Sequence, residues 1–268
     1  SRGLGDVYKR QLQSKQLKGT EKRDKYKVYG ELINTYGYNL EPGSKELTAL
    51  NYYTNEEITI PLDPTQTPGE NAQRYFAKYN KQKRTFEALT ELIQETADDI
   101  QYLESISNAL DIALSEADLA QIKEELMQSG YIRRKHTKKK VKLTSKPMHY
   151  ISSDGYDMYV GKNNLQNEEL TFSFANGNDW WFHAKGAPGS HVIVKSGGDE
   201  LPDRTFEEAG RLAAYYSKNR GADKVEIDYI QKKHVKKPNG AKPGFVVYYT
   251  NYSLVIDSDI SNIKNVQD

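Results

Sequence analysis

Residues 179–192 read Asp-Trp-Trp-Phe-His-Ala-Lys-Gly-Ala-Pro-Gly-Ser-His-Val, and this stretch decides the fold of the second half of the chain. Its bulky residues at 180–184 are typical of a buried strand. Pro188 and Gly189 suit the central positions of a type II turn. Residues 191–195 predict the strand that follows, so the stretch indicates two paired strands whose connecting turn carries polar side chains able to contact a partner.

The sequence on both sides of this strand pair alternates between strands and helices. It predicts an α+β domain over residues 143–268, built mainly on an antiparallel sheet. Asn163 or Asn164 is a suitable N-cap for a short helix that runs to about Phe174. The other predicted elements are a hairpin of strands 149–151 and 158–160, a helix over 205–218, a strand over 225–230, and a closing hairpin of strands 245–249 and 254–256.

Residues 1–113 predict a long antiparallel helical coiled-coil arm that carries a small β-hairpin. Apolar residues recur every seven positions from Ala72 to Leu110, and residues 13–36 provide a partner helix. Strands at 47–53 and 58–60 form the hairpin between the helices. A self-contained helical bundle is the alternative. Residues 1–11 carry little pattern, and we interpret them as either a ragged end or a non-native extension.

Residues 114–142 predict a short helix over 116–128 followed by a basic linker over 133–142. The net charge of +1 hides an asymmetry, because residues 1–129 sum to −5 and residues 130–268 sum to +6. A basic run is either a solvated linker or a contact with a polyanion such as nucleic acid. The absence of Cys excludes disulfides and thiolate chemistry, and no stretch has the roughly 20 apolar residues of a membrane span.

Asp179, His183, Ser190 and His191 are close enough in sequence to suggest a metal site or a Ser-His pair. However, His191 lies across a turn from His183, and no further carboxylate follows at a useful spacing. The sequence therefore predicts no catalytic residue, no metal and no cofactor. We expect the two histidines to form hydrogen bonds across strands and to lie at the rim of a binding surface.

Residues 186–190 do not form a nucleotide P-loop, because they lack its residue order and connect two strands. Two interpretations stay open for this segment. It is either a purely structural turn or a turn whose backbone N–H groups contact a phosphate.

The strongest electrostatic feature is residues 232–244, which contain five lysines. Pro and Gly keep this segment irregular, so its ammonium groups are able to reach successive phosphates of a nucleic acid. The alternative is an ordinary solvated loop without a ligand. No paired aromatic platforms on neighbouring strands are evident, which favours contact with folded RNA through shape and phosphates. The five lysines are Lys232, Lys233, Lys236, Lys237 and Lys242.

Three motifs in order resemble the C-terminal part of the NFACT family. They are Lys-Asn-Asn-Leu-Gln-Asn at 162–167, the stretch at 179–192 and the Lys-Lys-Pro-Asn-Gly-Ala-Lys-Pro-Gly run at 236–244. Residues 62–64 and 70–76 resemble an arm of the family's coiled coil. The resemblance covers residues 12–268 and identifies 143–268 as the RNA-binding domain. The expected RNA-binding residues are Lys162, Asn163, Asn164, His183, Lys185, Ser190, His191, Lys232, Lys233, Lys236, Lys237 and Lys242.

The resemblance implies a cytoplasmic protein that binds large ribosomal subunits carrying a stalled peptidyl-tRNA. It also implies tRNA recruitment and support for the addition of C-terminal alanine. In the family this addition is tied to an Asp-Arg pair, and we expect that pair to lie outside this chain. The family also includes Gram-positive proteins long labelled fibronectin-binding, so a surface adhesin for fibronectin is the alternative. An independent enzyme is the weakest hypothesis, and no membrane partner is expected.

Overall fold

The structure is a computed structural model that describes residues 2–133 and 144–266, with side chains from residue 14 onward apart from 16, 17 and 21. Residues 134–142 of the predicted basic linker lie outside this described part. The chain divides into two compact units, residues 1–97 and 98–268. Among the described helices, none is both long and apolar enough to cross a membrane.

The first unit is built from two long helices and a two-stranded sheet. The predicted hairpin is confirmed, because its two strands pair antiparallel with Leu47 opposite Ile60. The first helix begins well before the predicted start near residue 13. The elements are α1 (Arg2–Tyr36), a 3₁₀ turn (Gly37–Asn39), β1 (Glu46–Asn51), β2 (Glu56–Pro61) and the first part of α2 (Pro68–Ile112).

The two helices of this unit pack antiparallel and close together. Gly30 faces Phe76, whereas the earlier Gly19 faces the later Phe86. A Cβ at position 30 would lie only 2.7 Å from the Phe76 ring, so this crossing depends on glycine. Of the predicted seam, Ala72 and Tyr75 are buried in the core that the helices share with the hairpin. Later seam residues are exposed, so the seven-residue pattern does not mark one continuous buried seam; they are Leu89, Ile100, Leu103 and Leu110.

The second unit contains the end of α2, four further helical segments and a seven-stranded antiparallel sheet. The strand order is β8-β7-β5-β6-β4-β3-β9. The strands are β3 (Met148–Ile151), β4 (Asp157–Val160), β5 (Trp180–Ala184), β6 (Val192–Val194), β7 (Val225–Gln231), β8 (Tyr252–Ile256) and β9 (Lys264–Asn265). The helical segments are α3 (Glu116–Gln128), α4 (Asn164–Glu169) with its π-helical turn (Leu170–Phe174), α5 (Asp203–Tyr215) and a 3₁₀ turn (Lys232–His234).

The sheet of the second unit buries both of its faces. Because side chains alternate along a strand, Phe182 packs with α5 on one face, while Trp181 packs on the other. The π-helical turn after α4 and the segment around Tyr248 cover this second face. The α+β class with a mainly antiparallel sheet is thereby confirmed.

The predicted closing hairpin of residues 245–249 and 254–256 is wrong. β8 pairs with β7, whereas Val247 exchanges two backbone hydrogen bonds with Lys236. Left-handed backbone at Gly244 and Thr250 bounds the segment. Its apolar side chains are partly buried on the second face of the sheet, and this burial takes precedence over pairing with β8.

Candidate nucleic-acid interface

The segment of residues 232–244, here called the basic loop, has a fixed backbone at its start. The N–H of Lys232 donates to the Asp179 carbonyl at 2.8 Å, and that of Lys233 donates to the Gly177 carbonyl at 3.0 Å. Lys236 is then held by its paired bonds with Val247. The main chain is therefore ordered while the lysine side chains extend from it.

The five lysines of the basic loop fall into two electrostatic groups. No carboxylate of the described residues lies within ion-pair distance of Lys232, Lys233 or Lys236, and the last two are exposed. Lys237 instead pairs with Glu168 at 2.6 Å. The first group therefore keeps its positive charge available to an anionic ligand.

Lys242 is engaged with residues of α2 and of the segment that follows α3, all in its own unit. Its Nζ donates to Asp99 and, at 2.9 Å, to the Tyr131 hydroxyl, and it lies 4.7 Å from the Tyr102 ring centroid. Two hydrogen bonds lower the pKa of the exposed Asp99: the bond from Lys242 has the larger effect and the bond from Tyr131 the smaller. Lys242 therefore ties the far end of the basic loop to the end of α2.

The Lys-Asn-Asn motif at 162–164 is largely buried and occupied by contacts with α2 and α3. Asn163 caps α4 by accepting the Gln166 N–H, as the sequence predicted. A contact of the motif with RNA stays a prediction, because in the structure these side chains form hydrogen bonds with residues of α2 and α3. Their polar contacts run from Lys162 to Asp118 at 3.1 Å, from Asn163 to Gln121 at 2.6 Å, and from Asn164 to Ser105 and Glu125 at 2.8 Å each.

Glu125 is the most deeply buried acid in this network. It is fully buried, and burial raises the pKa of its carboxyl, an effect that hydrogen bonds from Asn164 and Tyr102 partly oppose. Its Oε2 has no partner among the described residues. The sequence offered no signal for this buried carboxyl, because α3 reads as an ordinary amphipathic helix.

His183 and His191 meet on the second face of the sheet with ring centroids 5.6 Å apart. His191 is 2% exposed, and its Nδ1 is 2.8 Å from the Thr171 hydroxyl. Desolvation lowers the pKa of His183 to about 4 and that of His191 well below its usual value. Both rings are therefore neutral at pH 7 and bring no positive charge to a phosphate.

Asp228 completes this polar cluster from the neighbouring strand. It lies opposite His183 in the β5–β7 register and is 4% exposed. It accepts hydrogen bonds from Tyr248 at 2.9 Å and Ser253 at 2.6 Å. The predicted cross-strand hydrogen bonds and rim position do not describe His191, because its described side-chain bond goes to Thr171 in the π-helical turn and the ring is buried.

The neutral histidines predict that acid destabilises the second unit well before most carboxylates titrate. Between about pH 6.5 and pH 4 the unfolded chain binds protons that the folded His183 and His191 do not, so the free energy of unfolding falls as the pH falls. We expect a loss of about 2 kcal/mol from His183 at pH 5, and a further loss in the same direction from His191. Urea unfolding at pH 7 and pH 5 measures it.

The His183→Gln and His191→Gln variants isolate this effect from other groups. Each variant should lose part of the acid sensitivity, whereas Glu125, whose raised pKa acts in the opposite direction, is left in place. A native chain as stable at pH 5 as at pH 7 would contradict the proposed neutral state of the rings.

The turn between β5 and β6 differs from the predicted type II turn. The left-handed residue is Gly186, with φ of 60°, rather than Gly189. Gly189 instead forms a bridge with Ser217, where an added Cβ would lie 3.0 Å from the Ser217 Cβ. Ser190 is 1% exposed and donates its N–H to the Tyr216 carbonyl. These contacts favour the structural interpretation of residues 186–190.

Lys185, next to this turn, is exposed but has an acidic partner. Its Nζ lies 2.6 Å from Glu226 Oε1, and that hydrogen bond is the main cause of the raised pKa of Lys185. Its contact with RNA stays a prediction. The structure therefore does not bring all the predicted residues together at one surface.

The structure also shows an aromatic cluster that the sequence analysis missed. His149 and Tyr159 are direct partners on β3 and β4, and their rings stack at 4.5 Å with an angle of 5°. The rings of Phe174 and Tyr159 meet in a T-shaped arrangement with centroids 4.7 Å apart. His149 and Tyr159 stack on each other, so the expectation that no RNP-type pair of base-stacking aromatic side chains is present stays a prediction. The cluster could have been found from the predicted hairpin of strands 149–151 and 158–160, because its register places His149 opposite Tyr159.

Comparison with known proteins gives family matches over most of the chain. Residues 6–145 match the model of the NFACT N-terminal and middle domains, and residues 146–249 match that of the NFACT protein RNA binding domain. The chain is 42% identical over 261 residues to the Rqc2 homolog RqcH of Streptococcus pneumoniae serotype 2 strain D39, covering 97% of this chain and 47% of the relative.

Another relative and a solved structure agree with these matches. The Rqc2 homolog RqcH of Bacillus subtilis strain 168 is 40% identical over 256 residues, which cover 93% of this chain and 44% of the relative. The chain thus spans about half the length of the curated relatives it matches. The solved C-terminal part of the fibronectin/fibrinogen-binding protein from Streptococcus suis is 35% identical, with a TM-score of 0.68 and 98% of both chains covered.

Proposed function

Because this chain belongs to the NFACT family, we propose that it is the RNA-contacting part of a ribosome quality-control factor. Its proposed partners are large ribosomal subunits with a stalled peptidyl-tRNA, and tRNA. Support of C-terminal alanine addition is proposed for the whole protein, of which this chain matches about half. The proposed location is the cytoplasm, in association with ribosomes.

One observation carries the proposal of RNA contact. Lys232, Lys233 and Lys236 follow one another on an ordered backbone, and the described part of the chain offers them no acidic partner. Ammonium groups in this state bind phosphates with release of counterions, which gives affinity without reading the base sequence. We propose these three side chains as the main phosphate contacts.

The proposed role is binding rather than catalysis. Burial keeps the rings of His183 and His191 neutral, and it leaves His191 almost inaccessible to a substrate. The lysines with acidic partners, such as Lys237 and Lys242, are proposed to hold the basic loop in place. Preorganisation of this kind lowers the entropic cost of binding RNA.

Co-sedimentation of this chain with purified large ribosomal subunits tests the proposal. Subunits with and without a stalled peptidyl-tRNA are compared across a salt series from 50 to 300 mM. We expect binding that weakens steeply with salt and is stronger when the peptidyl-tRNA is present. Binding that is absent at low salt, or that does not depend on salt, would contradict contact through phosphates.

Binding of fibronectin is the second candidate function. It is favoured by the similarity to the solved C-terminal part of a fibronectin/fibrinogen-binding protein from Streptococcus suis. Fractionation of intact cells separates the two candidates. Recovery of the whole protein only in ribosomal fractions would leave the adhesin without support, and surface exposure with fibronectin capture would favour it.

A further inference from the structure

Three aromatic residues, here called the aromatic platform, lie together on the second face of the sheet. His149 stacks on Tyr159 across the β3–β4 pair, and Phe174 contacts the Tyr159 ring from the π-helical turn. Phe174 is 40% exposed. The platform therefore ends in an aromatic ring that solvent or a ligand can reach.

The Phe174 ring is rigidly supported although it is exposed. Lys195 lies over it, with Nζ 4.7 Å from the ring centroid, and donates to the Phe174 carbonyl at 3.2 Å. The same Nζ bonds Asp179 at 2.6 Å, which is 2% exposed. A ring held in this way loses little conformational entropy when a flat ligand stacks on it.

The segment that carries Phe174 also contacts the basic loop on both sides of that residue. Lys232 Nζ lies 5.9 Å from the centroid of the Phe172 ring, two residues earlier. The Gly177 carbonyl, three residues later, accepts the Lys233 N–H. Three residues span at most about 10 Å, so the Cα of Phe174 lies within about 10 Å of the Cα of Gly177, whose carbonyl contacts the basic loop.

Aromatic rings beside available lysines are the elements that bind single-stranded nucleic acid. A base stacks on the ring while the lysines hold the phosphates on either side of it. We propose that the aromatic platform is a stacking site for an unpaired nucleobase of RNA, with Phe174 as the contacting ring and Lys232 and Lys233 on the adjoining phosphates. This inference rests on the proposed RNA-binding function and adds a preference for unpaired nucleotides.

Two RNAs that differ only in an unpaired segment test the inference. One is a blunt hairpin and the other is the same hairpin with a single-stranded 3′ tail of six nucleotides, both labelled for fluorescence anisotropy. Loss of one base–ring stack corresponds to about 5- to 150-fold in affinity. We therefore expect Phe174→Ala to weaken the tailed hairpin by a factor in this range and to leave the blunt hairpin unchanged.

Two further variants serve as controls. Phe174→Tyr keeps an aromatic ring and should bind the tailed hairpin like the native chain. Phe245→Ala removes another exposed ring, 44% accessible and outside the platform, and should leave both affinities unchanged. Circular dichroism verifies that each variant is folded.

The outcomes separate this inference from the proposed function. If the native chain binds both hairpins equally and Phe174→Ala changes neither affinity, the stacking site is overturned while RNA binding stands. An equal loss for both hairpins also overturns it, because the ring would then not contact the unpaired segment. If the native chain binds neither hairpin at 50 mM salt, both the stacking site and the proposed RNA contact fail.

Discussion

Replacing Lys232, Lys233 and Lys236 together by Ala is expected to weaken RNA binding by about 100-fold at 0.15 M salt. Each lysine has no acidic partner in the described part of the chain, and each lost phosphate contact costs about 1 kcal/mol. The slope of log affinity against log salt should also become shallower by about 2 to 3. Anisotropy titrations with tRNA at several salt concentrations measure both quantities.

A matched triple variant separates local contact from net charge. Arg204, Arg211 and Lys218 each pair with a carboxylate in the second unit, so their replacement by Ala removes the same number of charges. We expect this control to lose less than about 5-fold, because its cationic groups are already paired with acids. Equal losses for the two triples would show that net charge alone drives binding, which contradicts the assignment of the phosphate contacts.

The Gly161→Ala variant is expected to lose about 3 kcal/mol of stability. A Cβ at this position would lie 2.1 Å from Asn167 Oδ1 and 2.9 Å from the Asn167 backbone nitrogen. That Oδ1 accepts the N–H of His191, whose carbonyl in turn accepts the Gly161 N–H. The substitution therefore combines overpacking with the disruption of buried hydrogen bonds.

Thermal and urea unfolding of the chain measure this loss. Gly177→Ala is the matched control, because its added Cβ would meet Lys233 at an ordinary 3.6 Å and its backbone is not left-handed. The control should unfold within about 0.5 kcal/mol of the native chain. A Gly161→Ala variant as stable as the control would show that the Asn167 side chain moves aside at little cost.

Much of the secondary structure could be predicted from local patterns. The α3 helix has the predicted bounds, Asn163 caps α4, and β5 contains the predicted residues 180–184. Apolar periodicity and capping chemistry act over a few neighbouring residues, so the sequence displays them directly. The closing hairpin was wrong because residues 245–249 have a strand-like composition but are held against the sheet face through non-local contacts.

The roles of the residues in the motif at 162–167 were harder to predict from the sequence. The Lys-Asn-Asn run indicated an RNA contact, yet Lys162 pairs with Asp118 and Asn164 bonds Glu125 in the folded chain. These partners precede the motif by 44 and 39 residues. A pattern within six residues carries no information on such partners, because the pairing depends on how α3 packs against the motif.

The sequence alone determined the family, most of the strands and helices from residue 143 to residue 231, and the excess of positive charge in the second half. Only the tertiary structure decided which of those charges are available. Lys242 reaches Asp99, 143 residues earlier, and Lys237 reaches Glu168, whereas Lys233 meets no described acid. The reason is physical: ion pairing depends on distances of a few ångströms in space, and only the packing of remote elements brings those groups together.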